Sequence, residues 1–440
     1  HFKLAHYLMK LLSIFLVLFC LSCAQKAYNE SPPNVIFIFM DDLGYGDLGC
    51  YGNTLTNTPV IDKLASEGLQ LNAHYTVYPV CSPARAALLT GQYPLRANCS
   101  QVFFPKAKSG LPTNTNTMAE LFKGQGYYTA MVGKWHLGSK EEFLPLNHGF
   151  DTWFGCPYSN DMKPAVLMQD YKVIDTVYDQ SSWTSEYTQK ATEFITSSTQ
   201  PYFLYLAHSM PHVPIAASSN FLGKSKNGLF GDVIEELDFY IGELLSDLEK
   251  AGKLENTLIV LTSDNGPWLH MGVESGSAGT LSYGKFSTFE GGCRVPAIAW
   301  WPEIIAAGRT SDFPVDLMDW MPTFSQLFEL ETETDGASLL PLLTNTGIPK
   351  DSITSYFYGD ELKAVRKGNW KLKLASDGMQ WAKVPAHELA LFNLKNDPEE
   401  NTNLADQYPG HVNRLIALVD LINNDLPAAS EENSFGSPFE

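Results

Sequence analysis

The chain has 440 residues, of which 44% are hydrophobic and 18% are charged, a composition typical of a globular protein with a sizeable core. Its formal net charge of −19 argues against nucleic acid or an anionic membrane surface as a partner. An anionic small substrate is still compatible with this charge, because the local charge of a pocket governs what it binds.

The N-terminal residues have the pattern of a targeting segment. Lys10 precedes an apolar run over residues 11–21, which is too short for a comfortable membrane span and typical of a signal peptide. The run ends near Cys23, which follows a small residue as in a bacterial lipoprotein signal. Lipidation of Cys23 and plain secretion both remain open. We therefore expect residues 1–26 to direct export, to the periplasm, to the outer membrane as a lipoprotein, or to the medium.

Buried strands and helices alternate over residues 27–330. Thr117 and Glu120 have the spacing of a capping box at the start of one helix, and Asp232 is a candidate N-cap for a helix over 232–250. Apolar runs typical of buried parallel strands occur at 34–42, 127–138, 202–214 and 257–266. This alternation predicts an α/β domain with a parallel or mixed sheet flanked by helices.

The pattern changes after residue 330. Short alternating segments and a helix near 410–424 predict a smaller α+β subdomain over residues 331–440, a short antiparallel sheet plus a helix. The final residues, 427–440, have the composition of a disordered tail.

The stretch PVCSPARAALLTG (79–91) reads as a short helix, with Ser82 as its N-cap and Gly91 as its stop. Cys81 would then lie at the positive end of the helix, where anions bind and thiol pKa values fall. With Arg85 in or near the first turn, the stretch indicates an anion site that contains a reactive side chain. A buried structural cysteine beside a surface helix is the alternative. Five cysteines follow Cys23, so any disulfides would leave one cysteine over.

Acidic and amide side chains collect at two predicted strand ends. Asp41 and Asp42 end the first strand, and Asp264 and Asn265 end the strand at 257–266. Ligands of open α/β sheets bind at the carboxyl ends of strands, and oxygen ligands suit Ca²⁺ or Mg²⁺. Either pair alone would suit a helix cap or a turn, but the two together favour a cation site.

Basic side chains follow strand ends in the same way. Lys134, His136, His212 and Lys285, with Arg85, suggest a pocket for a tetrahedral anion held against the cation. His136 and His212 could act as general base and acid near neutral pH. Weaker candidates for contacts with the organic part of a substrate are the loop residues Asp161, Lys163, Trp268, His270 and Glu274. His148 and Asp151 are expected to be structural.

These motifs together resemble the type I, formylglycine-dependent sulfatases of the alkaline-phosphatase-like superfamily. The central motif is Cys81-Ser82-Pro83-Ala84-Arg85 followed by Thr-Gly, which matches the C-x-P-x-R signature of that family. The other matching blocks are DDLGYGDLGCYGN (41–53), GKWHLG (133–138), HGFDTWFG (148–155), HVP (212–214), SDNG (263–266), GKFSTFEGGCRVPAI (284–298) and LFNLKNDPEENTNLA (391–405). The resemblance implies an alkaline-phosphatase-like sheet and a sulfatase activity.

The resemblance also implies roles for the site residues. Cys81 would be oxidised to formylglycine by a formylglycine-generating enzyme, and its hydrate would supply the nucleophile. The cation, Ca²⁺ or Mg²⁺, would be held by residue 81 with Asp41, Asp42, Asp264 and Asn265.

The basic residues receive three roles in the same way. Arg85 and Lys134 would stabilise the hydrate and the developing charge. His212 and Lys285 would contact the sulfate and help to protonate the leaving alcohol. His136 would assist sulfate release by regenerating the aldehyde.

Three other functions remain as alternatives. A phosphodiester or phosphonate hydrolase of the same superfamily is one, although a second acid-rich metal site is not evident. A thiol phosphatase would use Cys81 directly, but it would need Arg six positions later, where Ala87 stands. A glycan-binding lipoprotein without turnover would follow if Cys81 stays unmodified.

The substrate class is suggested by export and by the aromatic content of 12%. Both favour a sulfated carbohydrate. The segment 276–292 resembles the arylsulfatase A and N-acetylgalactosamine-sulfatase branch, which points by analogy to a galactose-type sugar in a galactan or a glycosaminoglycan.

Overall fold

The computed structural model describes residues 32–177, 179–349 and 353–427. The predicted targeting segment with Cys23, and the predicted tail from residue 428 onward, lie outside these ranges. Within them, none of the helices combines the length and the apolar character needed to cross a membrane.

Strands in the described ranges form one large sheet and two small ones. In chain order they are β1 (Asn34–Met40), β2 (Leu69–Leu71), β3 (His74–Tyr75), β4 (Tyr128–Gly133), β5 (Thr152–Gly155), β6 (Ala165–Gln169), β7 (Lys172–Val177), β8 (Tyr202–Ala207), β9 (Thr257–Ser263), β10 (Arg294–Val295), β11 (Ala297–Trp300), β12 (Arg309–Ser311), β13 (Val315–Asp316), β14 (Ile353–Tyr358), β15 (Glu361–Lys367), β16 (Trp370–Lys373) and β17 (Ala390–Asn393). The large sheet has ten strands in the order β12-β2-β11-β9-β1-β8-β4-β5-β6-β7.

The centre of the large sheet is parallel, as the apolar runs predict. Val35 of β1 pairs with Phe203 of β8 on one side and with Leu258 of β9 on the other, and β4 runs parallel to both β8 and β5. The pairs β9–β11 and β5–β6 are antiparallel, so the sheet is mixed. Because β1, β4, β8 and β9 are parallel, their carboxyl ends meet at one edge of the sheet.

Helices flank this sheet. In the described ranges they are α1 (Pro59–Glu67), α2 (Cys81–Thr90), α3 (Met118–Gly124), α4 (Trp183–Ser197), α5 (Gly228–Lys250), α6 (Glu290–Cys293), α7 (Trp320–Leu327), α8 (Leu340–Leu343) and α9 (Pro409–Asp425). The capping box predicted for α3 is present: Thr117 Oγ1 accepts from the Glu120 N–H, and the Glu120 side chain accepts from the Thr117 N–H. The α/β prediction is confirmed.

Two predicted helix starts are wrong. Helix α2 begins at Cys81 with Val80 as its N-cap, and the Ser82 hydroxyl instead accepts from the Phe103 N–H at 3.3 Å. Helix α5 begins at Gly228, so Asp232 lies within it. The Asp232 carboxylate accepts from the backbone of the preceding loop, including Gly223 N–H at 2.7 Å. In both cases the side chain predicted to be an N-cap instead accepts a hydrogen bond from the backbone of another segment.

The C-terminal part is an antiparallel sheet, β14-β15-β16-β17, with α9 packed against it, as predicted. Leu415 and Val419 of α9 belong to a buried cluster with Phe357 of β14. Tyr78, just before α2, stacks on Phe357 with ring centroids 5.5 Å apart. The small sheet therefore packs directly against the segment that leads into the Cys81 helix.

A buried ionic cluster also joins the C-terminal sheet to the rest of the chain. Lys371 Nζ lies 2.9 Å from Glu290 and 3.0 Å from Glu400, and the Glu290 N–H donates to Glu400 at 2.6 Å. Lys373 is also buried, but its ammonium donates to the Thr288 hydroxyl at 3.0 Å. Burial and the nearby charge of Lys371 lower the pKa of Lys373 to about 7.

Substitutions of the two lysines should change the free energy of unfolding in opposite directions. Between about pH 7 and 10.5 the unfolded chain binds more protons at Lys373 than the folded chain, so the unfolding free energy should rise with pH. Lys373→Met should flatten that slope and raise the unfolding free energy at pH 7 by about 1 kcal/mol or more. Lys371→Met removes the cation that Glu290 and Glu400 share, leaves Glu290 only the longer ion pair with Arg294 at 3.8 Å, and should lower the unfolding free energy by about 3 kcal/mol. Urea unfolding at pH 7 and pH 9 measures both; equal effects of the two substitutions would contradict the assignment.

Candidate active site

The four predicted oxygen ligands meet at the carboxyl edge of β1 and β9. Asp42 N–H donates to Asp264 Oδ1 at 3.1 Å, and Asn265 Nδ2 donates to Asp42 Oδ1 at 2.7 Å. Asp41 follows β1 directly and is fully buried. Asp42 has a φ of 66°, a left-handed conformation that Asp tolerates better than most residues. The backbone is thus turned sharply where the acidic side chains enter the site.

Cys81 faces this acidic group from the first turn of α2. Its Sγ lies 3.4 Å from Asp41 Oδ1, and the residue is 2% exposed. Burial, with the charge of Asp41, raises the thiol pKa of Cys81 well above its ordinary value. The sequence-based expectation of a lowered pKa is wrong, because burial and a carboxylate outweigh the positive end of the helix. All five cysteines of the described ranges are free, so Cys81 is not in a disulfide.

Arg85 lies one turn further along α2 and ties the two acidic strand ends together. Its guanidinium donates to Asp264 Oδ2 from Nη2 at 2.8 Å and from Nε at 3.1 Å. Nη2 also lies 3.6 Å from Asp41 Oδ1, and Nη1 donates to the Lys134 carbonyl at 2.9 Å. The side chain is fully buried, so this arrangement fixes a permanent positive charge inside the site.

Lys134 leaves β4 and reaches the same acids. Its ammonium forms a hydrogen bond with Asp41 Oδ2 and donates to the Ser159 hydroxyl at 3.0 Å. Burial opposes the charge on Asp41, but Lys134, His212 and Arg85 hold the pKa of Asp41 well below its ordinary value. Ser159 is not among the site residues predicted from the sequence. It follows β5, the strand beside β4, so recognising residues 152–155 as a strand would have placed it at this edge.

Lys285 and His212 enclose the other side of Asp42. Lys285 Nζ lies 2.8 Å from Asp42 Oδ1 and 2.9 Å from Oδ2. His212 Nδ1 lies 2.6 Å from the Val213 carbonyl, which assigns the proton to Nδ1, while Nε2 lies 3.7 Å from Asp42. Burial and the charge of Lys285 lower the pKa of His212. Nε2 is therefore the ring nitrogen that faces the site.

His136 completes the basic set. It is buried, has a φ of 61°, and neither of its ring nitrogens has a hydrogen-bond partner among the described residues. Burial and the charges of Lys134 and Arg85 lower the pKa of His136 well below its ordinary value. A strained backbone and two unpaired buried nitrogens are costly, and such features concentrate at functional sites.

A divalent cation fits this donor set. Ligand atoms of Asp41, Asp42, Cys81 and His212 all lie within 4.8 Å of one another. Asn265 Oδ1 is buried, has no hydrogen-bond partner within the described ranges, and is the kind of hard donor that Ca²⁺ or Mg²⁺ prefers. This group differs from the predicted ligand set because it contains His212 and leaves out Asp264, whose Oδ2 is engaged by Arg85 and whose Oδ1 accepts from the Asp42 N–H.

The weaker sequence candidates separate into two groups. Asp151 pairs with Lys123 at 2.7 Å, and His148 packs on Trp135 with ring centroids 5.5 Å apart, so both make structural contacts. Trp268 lies against His212 with ring centroids 5.7 Å apart. The remaining candidates lie on the surrounding loops: Asp161, Lys163 and Glu274 are exposed and His270 is partly buried.

Gly133 makes the close approach of Lys134 possible. It has a φ of 109°, and a Cβ at this position would lie 1.9 Å from the Ala207 carbonyl oxygen. Gly133→Ala should therefore lower the unfolding free energy by about 3 kcal/mol or more, through backbone strain and overpacking. Gly124→Ala is the matched control, because a Cβ there meets nothing within 4 Å. Denaturant unfolding of both variants measures the effect, and a near-neutral Gly133→Ala would refute this account.

Comparisons with known proteins identify the family to which the chain belongs. A family model described as Sulfatase matches residues 33–330. The chain is 39% identical over 445 residues to N-acetylgalactosamine-6-sulfatase of Mus musculus, covering 88% of this chain and 85% of the relative. It is 36% identical over 451 residues to arylsulfatase A of Homo sapiens, covering 90% and 89%.

A solved structure shows the same fold. A sulfatase structure from work on glycosaminoglycan metabolism by Bacteroides thetaiotaomicron superposes with a TM-score of 0.83 at 28% identity, covering 89% of this chain and 99% of that one. Since the family model covers more than half of the chain and both relatives align along most of their length, the chain belongs to the sulfatase family and is an enzyme that hydrolyses sulfate esters.

Proposed function

We propose that this sulfatase acts on a sulfated carbohydrate of the galactan or glycosaminoglycan type, using a formylglycine made from Cys81 and a bound divalent cation. The observation that carries the proposal is the position of Cys81. Its Sγ lies 3.4 Å from Asp41, in a buried site that also holds Arg85, Lys134 and Lys285. Burial and the carboxylate of Asp41 raise the pKa of the thiol, which disfavours the thiolate that direct thiol catalysis would need.

The cation would be held by Asp41, Asp42, Asp264 and Asn265 together with residue 81. When bound, it would hold a sulfate oxygen and stabilise the negative charge that develops there. Three buried carboxylates (Asp41, Asp42, Asp264) face three permanent cations (Arg85, Lys134, Lys285), so a divalent ion leaves the site with a net charge of about +2. That excess suits an anionic substrate even though the whole chain is strongly acidic.

In its hydrated form, the modified residue 81 would carry two hydroxyl groups. One hydroxyl would attack sulfur, and loss of a proton from the other would let the C=O bond reform as sulfate leaves. A serine or a thiol has no second hydroxyl and could not release the bound sulfate in this way. Lys134, fixed between Asp41 and Ser159, would orient the attacking hydroxyl and stabilise its charge. Arg85 would hold the acidic ligands in place and add positive charge.

The histidines and Lys285 would move the protons. His212 has Nδ1 assigned to the Val213 carbonyl, so its Nε2 faces the site beside Lys285. These two groups would hold the leaving oxygen and help to deliver its proton. His136 is buried, and both of its ring nitrogens lack a hydrogen-bond partner among the described residues, so one of them would accept the proton that is lost when the aldehyde is regenerated.

The substrate class is supported by the relatives. One relative is named for N-acetylgalactosamine 6-sulfate, and the superposed structure comes from work on glycosaminoglycan metabolism. We propose the 6-sulfate of a galactose-type sugar as the first substrate to examine.

Release of free sulfate tests the proposal directly. The protein should be co-expressed with a formylglycine-generating enzyme, and residue 81 verified by mass spectrometry. The substrate panel contains sulfated galactans, glycosaminoglycan fragments, an aryl sulfate and a phosphodiester. Release from one sulfated sugar supports the proposal. Faster turnover of the phosphodiester would instead favour the phosphodiester hydrolase, and glycan binding with an unmodified Cys81 would favour a non-catalytic glycan-binding protein.

We also propose that the chain is exported, with Cys23 as a candidate lipid attachment site. Support comes from the basic and apolar pattern of residues 10–23 in the sequence. Mass spectrometry of the mature N-terminus distinguishes a lipidated Cys23 from plain cleavage. A mature chain that retains residues 1–22 would contradict both forms of the proposal.

A further inference from the structure

A small cavity opens beside the site, next to Lys285. It has a volume of about 190 Å³ and is lined by two parts of the chain. Residues 269–270 and 283–285 form one wall, and residues 382–384 of the C-terminal part form the other. The cavity shares Lys285 with the catalytic site, so a group attached to a bound sulfate ester could extend into it.

A row of aromatic rings leads from the catalytic site towards this cavity. The ring of His212 lies 5.7 Å from Trp268, and Trp268 lies 5.5 Å from Phe286. Phe286 in turn lies 4.8 Å from Trp381, whose side chain is 44% exposed. Trp381 directly precedes the cavity wall at residues 382–384. An exposed indole at the end of a packed row offers a rigid apolar face for a sugar ring.

The charge of the cavity is positive. Among the described residues that line it, none carries a carboxylate, and its cations are Lys285 and Lys383. Lys285 is engaged by Asp42, whereas Lys383 is exposed and takes part in none of the ion pairs found in the described ranges. His270 Nε2 is buried and has no hydrogen-bond partner among the residues that the structure describes. An anion in this cavity would meet one free ammonium and one unpaired imidazole nitrogen.

The loop that carries Lys383 is held in a fixed shape. Met379 and Val384 exchange two backbone hydrogen bonds of 2.7 and 3.0 Å, which close the loop over residues 380–383. Lys383 has a φ of 47°, a left-handed conformation in which a lysine is uncommon. Trp381 and Lys383 are therefore presented on one tight turn, two residues apart.

We infer that the loop at residues 379–384 forms a subsite for an anionic sugar residue next to the sulfated one, with Lys383 pairing with its anionic group and Trp381 packing on its ring. This inference rests on the proposed carbohydrate substrate. The anionic group is a carboxylate or a second sulfate, since both accept hydrogen bonds from an ammonium and from an imidazole N–H. The loop belongs to the C-terminal part, so the C-terminal part would contact the sugar residue next to the one that carries the reacting sulfate ester.

Binding measured without turnover tests the subsite. The full chain with Cys81→Ala is titrated by calorimetry, in the presence of Ca²⁺, with three disaccharides of N-acetylgalactosamine 6-sulfate. The neighbouring sugar is glucuronic acid, galactose 6-sulfate or glucose, which separates a carboxylate, a second sulfate and a neutral group. We expect at least one anionic probe to bind about tenfold more tightly than the neutral probe.

Variants of Lys383, also made in the Cys81→Ala chain, test whether Lys383 causes the preference for anionic over neutral probes. Lys383→Gln should reduce the tenfold ratio to about twofold, and Lys383→Glu should abolish or reverse it. Trp381→Ala should weaken all three probes by a similar factor, because ring packing does not depend on the charge. Lys395→Gln is the matched control, an exposed lysine of the C-terminal part that does not line the cavity, and it should keep the ratio.

The outcomes separate this inference from the proposed function. Equal affinity for neutral and anionic probes, a preference that survives Lys383→Glu, or no binding of any probe would overturn the subsite. Sulfate release is measured separately on the chain that carries formylglycine. Release without a charge preference counts against the subsite alone, whereas a Lys383-dependent preference without release counts against the proposed reaction.

Discussion

Cys81→Ala is expected to reduce sulfate release at least about a thousandfold, because its β-carbon is a methyl group that cannot be converted to the hydrated aldehyde carrying the attacking hydroxyl. The residue lies in contact with Asp41 and near the cation ligands, so no neighbouring hydroxyl can take its place without rebuilding the site. Cys81→Ser is informative for the same reason: a serine can attack sulfur once, but it lacks the second hydroxyl that expels sulfate. Neither variant should release free sulfate, so mass spectrometry of the protein after incubation with substrate distinguishes them: a sulfate ester on residue 81 is expected for Cys81→Ser and not for Cys81→Ala.

The matched control for Cys81 is Cys50→Ala. Cys50 is a free, half-buried cysteine beside Asp62 and away from the acidic group. It should retain activity when treated with the same formylglycine-generating enzyme. Circular dichroism confirms folding of all variants, since Cys81 is buried and its truncation leaves a small cavity. Unchanged sulfate release by Cys81→Ala would exclude residue 81 as the nucleophile.

The strand ends explain why so much of the site can be predicted from the sequence. A buried parallel strand is a continuous apolar run, so its last residue is visible in the sequence, and parallel strands bring their carboxyl ends together. Asp41, Lys134, His212 and Asp264 are each within a few residues of such an end. Residues far apart in the chain can therefore be assigned to one edge of the sheet from the positions of the apolar runs alone.

Side chains recruited by tertiary contacts are harder to predict. Ser82 and Asp232 have the residue types of N-caps, yet one accepts from Phe103 and the other from the loop before its helix. The Cys81 thiol is next to a helix N-terminus, yet burial and Asp41 set its pKa. In each case the local sequence predicts an interaction with the helix N-terminus, and a tertiary contact in the folded chain outweighs it.

The residues around the cavity beside Lys285 are also hard to predict from the sequence, because they come from distant parts of the chain. Trp381 and Lys383 are about a hundred residues from Lys285 in the chain, in a short loop with no periodic pattern. Their position depends on how the antiparallel C-terminal sheet packs on the region before α2, through contacts such as Tyr78 with Phe357. No local motif encodes that packing, so the predicted core of the site is more complete than its substrate-facing rim.

Asp42→Asn is expected to lower sulfate release by about a thousandfold, with a loss that excess Ca²⁺ or Mg²⁺ does not restore. The Asp42 carboxylate is the point where Asn265, Lys285 and the proposed cation meet. Asparagine has nearly the same shape and also tolerates the left-handed backbone that Asp42 adopts, so the substitution removes charge with little backbone strain. Calorimetric titration with each metal ion measures cation affinity beside activity, and Asp175→Asn on the exposed strand β7 is the control.

Chelation provides the complementary measurement on the unsubstituted protein. Asp41 pairs with Lys134 and Asp42 pairs with Lys285, so these carboxylates keep a partner after chelation, and the chain should stay folded while sulfate release is lost. Activity that returns with Ca²⁺ or with Mg²⁺ then identifies the ion, because Mg²⁺ demands octahedral geometry and Ca²⁺ accepts more ligands at longer distances. In Asp42→Asn, Lys285 loses its carboxylate partner, so a modest fall in thermal stability should accompany the lost activity. Full activity after chelation, with removal of metal verified by elemental analysis, would show that the three buried cations act without a metal ion.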